Sequence, residues 1–182
     1  MMVNKKVIVK PAMSDLEIIE FEEVGKLEAF NTDGLRSLIE TMKHIPNMKE
    51  KTLRYPGHIA LIQQYFNKGM FSKGNIKRTS KELFKAWKLR DEEKEFTLLK
   101  IIFESDTDII KYSLYDEYDT VNKNSSMART TGFTATASIN LILNNFFTEK
   151  GVFPPEVIGA NKSCVDFITS YLKDRGVLLR KV

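Results

Sequence analysis

Lys51-Thr52-Leu53-Arg54-Tyr55-Pro56-Gly57-His58 sets a charged fork, a hydroxyl, a Pro-Gly turn and an imidazole between a strand-like run and a helix-like one. Met48 to Arg54 alternates, with Met48, Glu50, Thr52 and Arg54 on one side and Lys49, Lys51 and Leu53 on the other, which predicts a short strand. Pro56 disfavours the α conformation at Tyr55, so extended chain continues that far. Gly57 then opens a segment whose Leu61, Ile62, Tyr65 and Phe66 recur at helical spacing. Thr52 and Arg54 therefore stand near the C-terminal end of a strand, just before a helix. Ligands often gather at such margins of a sheet. A guanidinium there can meet a carboxylate with two parallel hydrogen bonds, or it can serve a structural ion pair.

Two further blocks follow the same order as this one. Upstream lies Ala29-Phe30-Asn31-Thr32-Asp33-Gly34-Leu35-Arg36-Ser37-Leu38, and downstream the run from Met127 to Leu143, MARTTGFTATASINLIL. Together with TLRYPGH, these blocks resemble the C-terminal half of the saccharopine dehydrogenase family, over about Glu20 to Val182. Full-length relatives oxidise a secondary amine, saccharopine, by hydride transfer to NAD or NADP. The imine then hydrolyses to glutamate and an aldehyde. The resemblance implies an amino-acid substrate bearing carboxylates, contacted by Thr52, Leu53 and Arg54, with Asn31 and Thr32 lining the same pocket. Thr32 stands where eukaryotic-type relatives place an Arg, which removes one carboxylate clamp. Related enzymes act on lysine or on carboxylated polyamines, which carry fewer carboxylates than saccharopine.

No G-x-G-x-x-G follows a strand, so the usual dinucleotide cradle is not expected here. The resemblance implies that the cofactor, NAD or NADP, binds a Rossmann half outside this sequence, and that this chain is a piece of a longer enzyme or a gene product without that half. It also implies a homo-oligomer. A lysine 6-dehydrogenase or carboxylated-polyamine dehydrogenase domain fits the same blocks. A non-catalytic dimerisation or ligand-sensing module is the alternative from a different class.

The 182 residues, 42% hydrophobic and 29% charged, suit one soluble globular domain. No apolar run approaches the ~20 residues of a membrane span, and Met1 to Lys10 lacks a signal peptide's apolar core. Cys164 is the single cysteine, consistent with a reducing cytoplasm, and its place on a helical apolar stripe reads as a buried small hydrophobe. The net charge of +4 does not point to nucleic acid.

Short strands are expected at Val7–Val9, Leu16–Phe21 and Val24–Phe30. Asn31, Thr32 or Asp33 then caps a helix carrying Leu35, Leu38, Ile39 and Met42, which ends near His44. Within a helical insertion at about 70–92, Thr79 or Ser80 caps a helix with Leu83, Phe84 and Trp87 along one side. Its lysines are interspersed with Glu82, Asp91, Glu92 and Glu93, as on a solvated face. Phe96–Phe103 is apolar on both faces and reads as a strand covered on both sides, pairing with the alternating Ile110–Tyr118 across Ser105–Asp108. Asp116 to Asp119 reads as a solvated strand end. The longest helix is expected from Ser125 or Ser126 to about Thr148. Gly132 within it suggests a close approach, for which tight helix–sheet packing is the favoured account. Arg129 lies in its first turn, where a cation opposes the helix dipole, so an anion nearby is expected, and a substrate carboxylate is one candidate. Lys162 to Arg175 is the last helix, followed by a closing strand. The fold class is α+β: a mixed, largely antiparallel sheet with helices mainly on one face. His58 is a weak acid–base candidate.

Overall fold

The strands expected at Val24–Phe30 and within Met48–Arg54 appear as neighbours, Gly25–Asn31 and Lys51–Arg54, in a computed structural model, which describes residues 1–90 and 93–182. The chain divides into two compact units, Met1–Lys88 and Leu89–Val182. Among the described residues every strand pair is antiparallel, and one two-stranded and two three-stranded sheets stand where a single mixed sheet was expected. The α+β class itself holds, with helices and antiparallel sheets in both units. Hairpin-length links explain three of these pairs, β1 with β2, β3 with β4 and β6 with β7, because such links join strands antiparallel.

In the first unit a small hairpin, β1 (Met2–Val3) and β2 (Lys6–Val7), precedes a sheet of order β3-β4-β5. Its strands are β3 (Glu17–Phe21), β4 (Gly25–Asn31) and β5 (Lys51–Arg54). The register sets Phe30 opposite Thr52 and Glu28 opposite Arg54, which puts these four on one face. Ala29 opposite Leu53 and Asn31 opposite Lys51 occupy the other. Leu27, Ala29, Phe30, Ile59 and Ile62 are buried in this unit.

The helix expected to reach back to Asn31–Asp33 is only one turn, α1 (Leu38–Thr41). Arg36 has φ +41, a left-handed conformation that cannot continue a helix, and Asn31 remains in β4. After β5 come α2 (His58–Asn67) and α3 (Ile76–Ala86). The latter starts ahead of the expected Thr79 or Ser80 cap, and Thr79 is buried with its hydroxyl donating to the Met70 carbonyl. Asp91 and Glu92, at the end of the expected insertion, lie outside the described residues.

The second unit holds β6 (Phe96–Glu104), β7 (Ile109–Glu117) and, at the end of the chain, β8 (Leu179–Lys181), in the order β6-β7-β8. β6 lies at the edge of its sheet, and its faces are not both covered: Leu99 and Phe103 on one and Ile102 on the other are 43–53% exposed. The long helix begins with a π-helical turn, Ala128–Gly132, and continues as α4 (Phe133–Leu143), shorter than expected. A Cβ added at Gly132 would meet nothing within 4 Å, so the expected close approach is absent there. α5 (Pro155–Gly159) and α6 (Lys162–Lys173) follow, with Cys164 buried on α6. Leu114, Ala137, Leu141 and Val177 complete the buried apolar set of this unit.

Candidate functional site

Glu50, Thr52 and Arg54 alternate toward the face of the first sheet that also carries Thr32. Thr32 Oγ1 donates to Glu50 Oε2, and the Thr32 and Thr52 hydroxyl oxygens lie 2.9 Å apart. The Gly34 amide donates to the same carboxylate at 3.1 Å. Glu50 can sit there only because residue 34 lacks a side chain: a Cβ would fall 2.4–2.6 Å from its carboxylate. Each hydroxyl has one proton, and Thr32 spends its own on Glu50. Thr52 can then give its proton to Thr32 or to Glu50 Oε1, 3.4 Å away.

Arg54 is exposed, and its Nη1 donates to the Leu53 carbonyl at 2.7 Å. Among the described residues it makes no ion pair. The carboxylate opposite it in the sheet, Glu28, is engaged elsewhere. Glu28 is buried, with one oxygen accepting from the Gly57 amide at 2.9 Å and the other from the Ile59 amide at 3.1 Å. It closes the start of α2, where free amides attract an acid. Gly57 reaches φ +98, the left-handed conformation that this joint between strand and helix requires.

His58 follows at the first position of α2. Its ring stacks on Phe30 at 6.1 Å and 9°, and meets Trp87 at 5.9 Å. Burial, then the nearby Arg54 charge, lower its pKa, while Glu28 opposes them. The imidazole is therefore neutral at physiological pH and able to accept a proton.

The expected site residues are thus only partly brought together. Thr32, Thr52 and Arg54 share one face, and His58 borders it. Leu53 points its side chain to the opposite face, opposite Ala29. Asn31 is buried on that same opposite face, and its amide nitrogen donates to Ser14 Oγ at 3.0 Å and Asp15 Oδ2 at 2.8 Å. These bonds tie down the loop before β3.

Arg129 belongs to the second unit, and the anion expected near it comes from the chain itself. Its Nε and Nη2 donate to Asp116 at 3.1–3.2 Å, Nη1 to Asp119 at 3.0 Å, and Nη2 to the Arg175 carbonyl at 3.2 Å. The hydrogen bond with Asp116 leads the causes that raise the Arg129 pKa. Asp116 is 6% exposed, so the expected solvated strand end is in fact a buried ion cluster.

Sequence reasoning overlooked Glu50, Glu28 and Trp87. Glu50 had a signal, since it lies two residues before Thr52 on the same alternating side. Two surface depressions lie elsewhere, one along α3 beside Ile76, Lys81 and Phe84, the other between Met13 and Phe66. Neither contains Thr52 or Arg54.

The family model for the saccharopine dehydrogenase C-terminal domain matches residues 1–177, and the chain belongs to that family.

Proposed function

From that membership we propose that this chain is the substrate-binding and oligomerisation domain of an NAD(P)-dependent oxidoreductase acting on the CH–NH group of an amino-acid derivative in lysine metabolism. Arg54 binds a substrate carboxylate, and Thr32 and Thr52 line the same face. The observation that carries this reading is a guanidinium with no internal ion pair among the described residues, at the end of β5, inside the motif the family resemblance ties to substrate.

Hydride chemistry belongs to a dinucleotide-binding segment separate from these residues. In the first unit the one strand–turn–helix joint preceding an extended helix is β5 to α2. A phosphate there would compete with the buried Glu28 carboxylate for the Gly57 and Ile59 amides. The joint does not fit the cofactor. What these residues supply is grip on the substrate and, at His58, a neutral imidazole that can take a proton.

Self-association has its own support in the second unit. The β6-β7-β8 sheet leaves Leu99 and Phe103 exposed on one face and Ile102 and Ile109 on the other.

Kinetics test the main reading. In the enzyme joined to its dinucleotide-binding half, Arg54→Ala raises KM and leaves cofactor affinity intact. Unchanged KM overturns the assignment.

A further inference from the structure

We infer that α3 is an interfacial helix: it lays Ile76, Phe84 and Trp87 into the surface of a membrane containing anionic lipid, with a row of lysines on the headgroups.

Residues three and four apart share a helix face, and the side chains of α3 sort into adjacent strips. Thr79 and Leu83 form the inward strip. Thr79 is buried, with its hydroxyl donating to the Met70 carbonyl, and Leu83 is half-buried. Beside them run Ile76, Phe84 and, just past the helix end, Trp87, which are 44%, 76% and 51% exposed. Beyond these, Lys77, Lys81, Lys85 and Lys88 follow at the same spacing, all exposed. Ile76, Phe84, Lys77 and Lys81 border one shallow depression, so the apolar and cationic strips are contiguous. Glu82, the one acid of α3, pairs with Arg78 at 3.6 Å on the remaining side.

Water accounts for the lysines. It does not account for three large apolar side chains set outward in line with them. A short helix of low overall hydrophobicity, with Trp and Phe on one side and lysines on the other, has the pattern of helices that lie in a membrane interface. No described helix is long and apolar enough to cross a membrane, and lying on one requires neither property.

Charge complementarity requires an anionic occupant, and the packing of α3 favours lipid over an acidic protein groove. A groove that takes up an amphipathic helix encloses its whole apolar face. Here Thr79 and Leu83 already turn part of that face inward. A lipid surface needs only the outward part. Lysine stems can then lie along apolar surface while their ammoniums reach the phosphates. Trp87 supplies the kind of amphipathic ring that is enriched at headgroup depth.

Trp87 is the single tryptophan of the chain, so its emission reports directly on this face. The 182-residue chain is titrated with phosphatidylcholine vesicles carrying about 30% phosphatidylserine, and with pure phosphatidylcholine vesicles. The emission is expected to shift to the blue, and the protein to sediment, with the anionic vesicles alone, both effects fading as salt rises. At roughly fivefold per lysine, the double variant Lys77→Gln, Lys81→Gln lowers partitioning by about 30-fold. Phe84→Ser also lowers it and leaves the salt dependence in place. All three positions are exposed, so the unfolding midpoints of these variants should match wild type. Binding to both kinds of vesicle alike, or to neither, overturns the inference, as does a double variant that binds as wild type does. A blue shift produced by polyglutamate and not by vesicles assigns the face to an acidic protein segment. One that grows with protein concentration in the absence of vesicles assigns it to a second copy. Either result contradicts a lipid-binding α3.

Discussion

Each unit carries an arginine that the sequence nominates for an acidic ligand, and the two live in opposite circumstances. Arg129 has a 13% exposed side chain, and two aspartates and a backbone carbonyl surround it. Arg54 is exposed, bonds one carbonyl, and faces a glutamate already committed to the start of a helix. A guanidinium whose donors are spent inside the protein stabilises the fold. One that the fold leaves unpaired at a strand end is available to a partner. Residue type and local position do not separate these cases. The difference lies in where the neighbouring carboxylates are directed.

The contrast is broken most readily at Arg129. Arg129→Ala strands the buried Asp116 and is expected to cost about 3–5 kcal/mol in urea unfolding. A loss below about 1 kcal/mol would make Arg129 as dispensable as a surface residue and erase the distinction. Glu28→Ala should come next. It removes the acceptor for two amides at the start of α2, one of them on the buried Ile59, and should cost about 1–3 kcal/mol. An unchanged unfolding midpoint means those amides find other partners, and Glu28 was free to pair with Arg54 after all.

His58 sharpens the comparison through pH. Its pKa is lowered by burial first and by Arg54 second. The unfolded chain binds this proton near pH ~6.5, and the folded chain only at lower pH. Unfolded protein thus binds more protons in that window. The contribution of His58 to stability is full above pH ~6.5 and falls as pH drops toward the folded value. His58→Phe retains a ring between Phe30 and Trp87 and removes the titration. Stability measured from pH 7 to 5 should therefore decline less steeply in the variant, and equal slopes refute the effect. Removing the Arg54 charge should raise the His58 titration seen by NMR. No change would show that Arg54 is compensated by something else.

Much of the scaffold around Arg54 was legible in the sequence. Alternation located β5, Pro56 and Gly57 located the joint, and Leu61, Ile62 and Tyr65 gave α2. What was illegible depended on distant partners. The Asp116–Arg129 pair spans 13 residues, and Asn31 reaches back 16 residues to Asp15. No local pattern announces such bonds. The shortened α1 turns on the backbone of Arg36, an ordinary helix former held at positive φ. Phe96–Phe103 misled because apolar residues on both faces normally mean cover on both sides, whereas β6 is an edge strand with apolar side chains exposed. Within the site, Thr32 and Thr52 were found but the polarity of their hydroxyls was not. That polarity is set by Glu50, which comes close only because Gly34 leaves room.

The most direct measurement is the urea unfolding midpoint of Arg54→Ala beside wild type, each with and without hexanoate at about 100 times the wild-type Kd. Without hexanoate the two proteins should agree within about 0.5 kcal/mol, as for an exposed residue whose one hydrogen bond is to the carbonyl of its chain neighbour. With it, wild type should gain about 2.7 kcal/mol and the variant nothing. A variant that unfolds well before wild type in the absence of ligand, or gains as much from hexanoate, contradicts the claim that Arg54 is held free for a carboxylate.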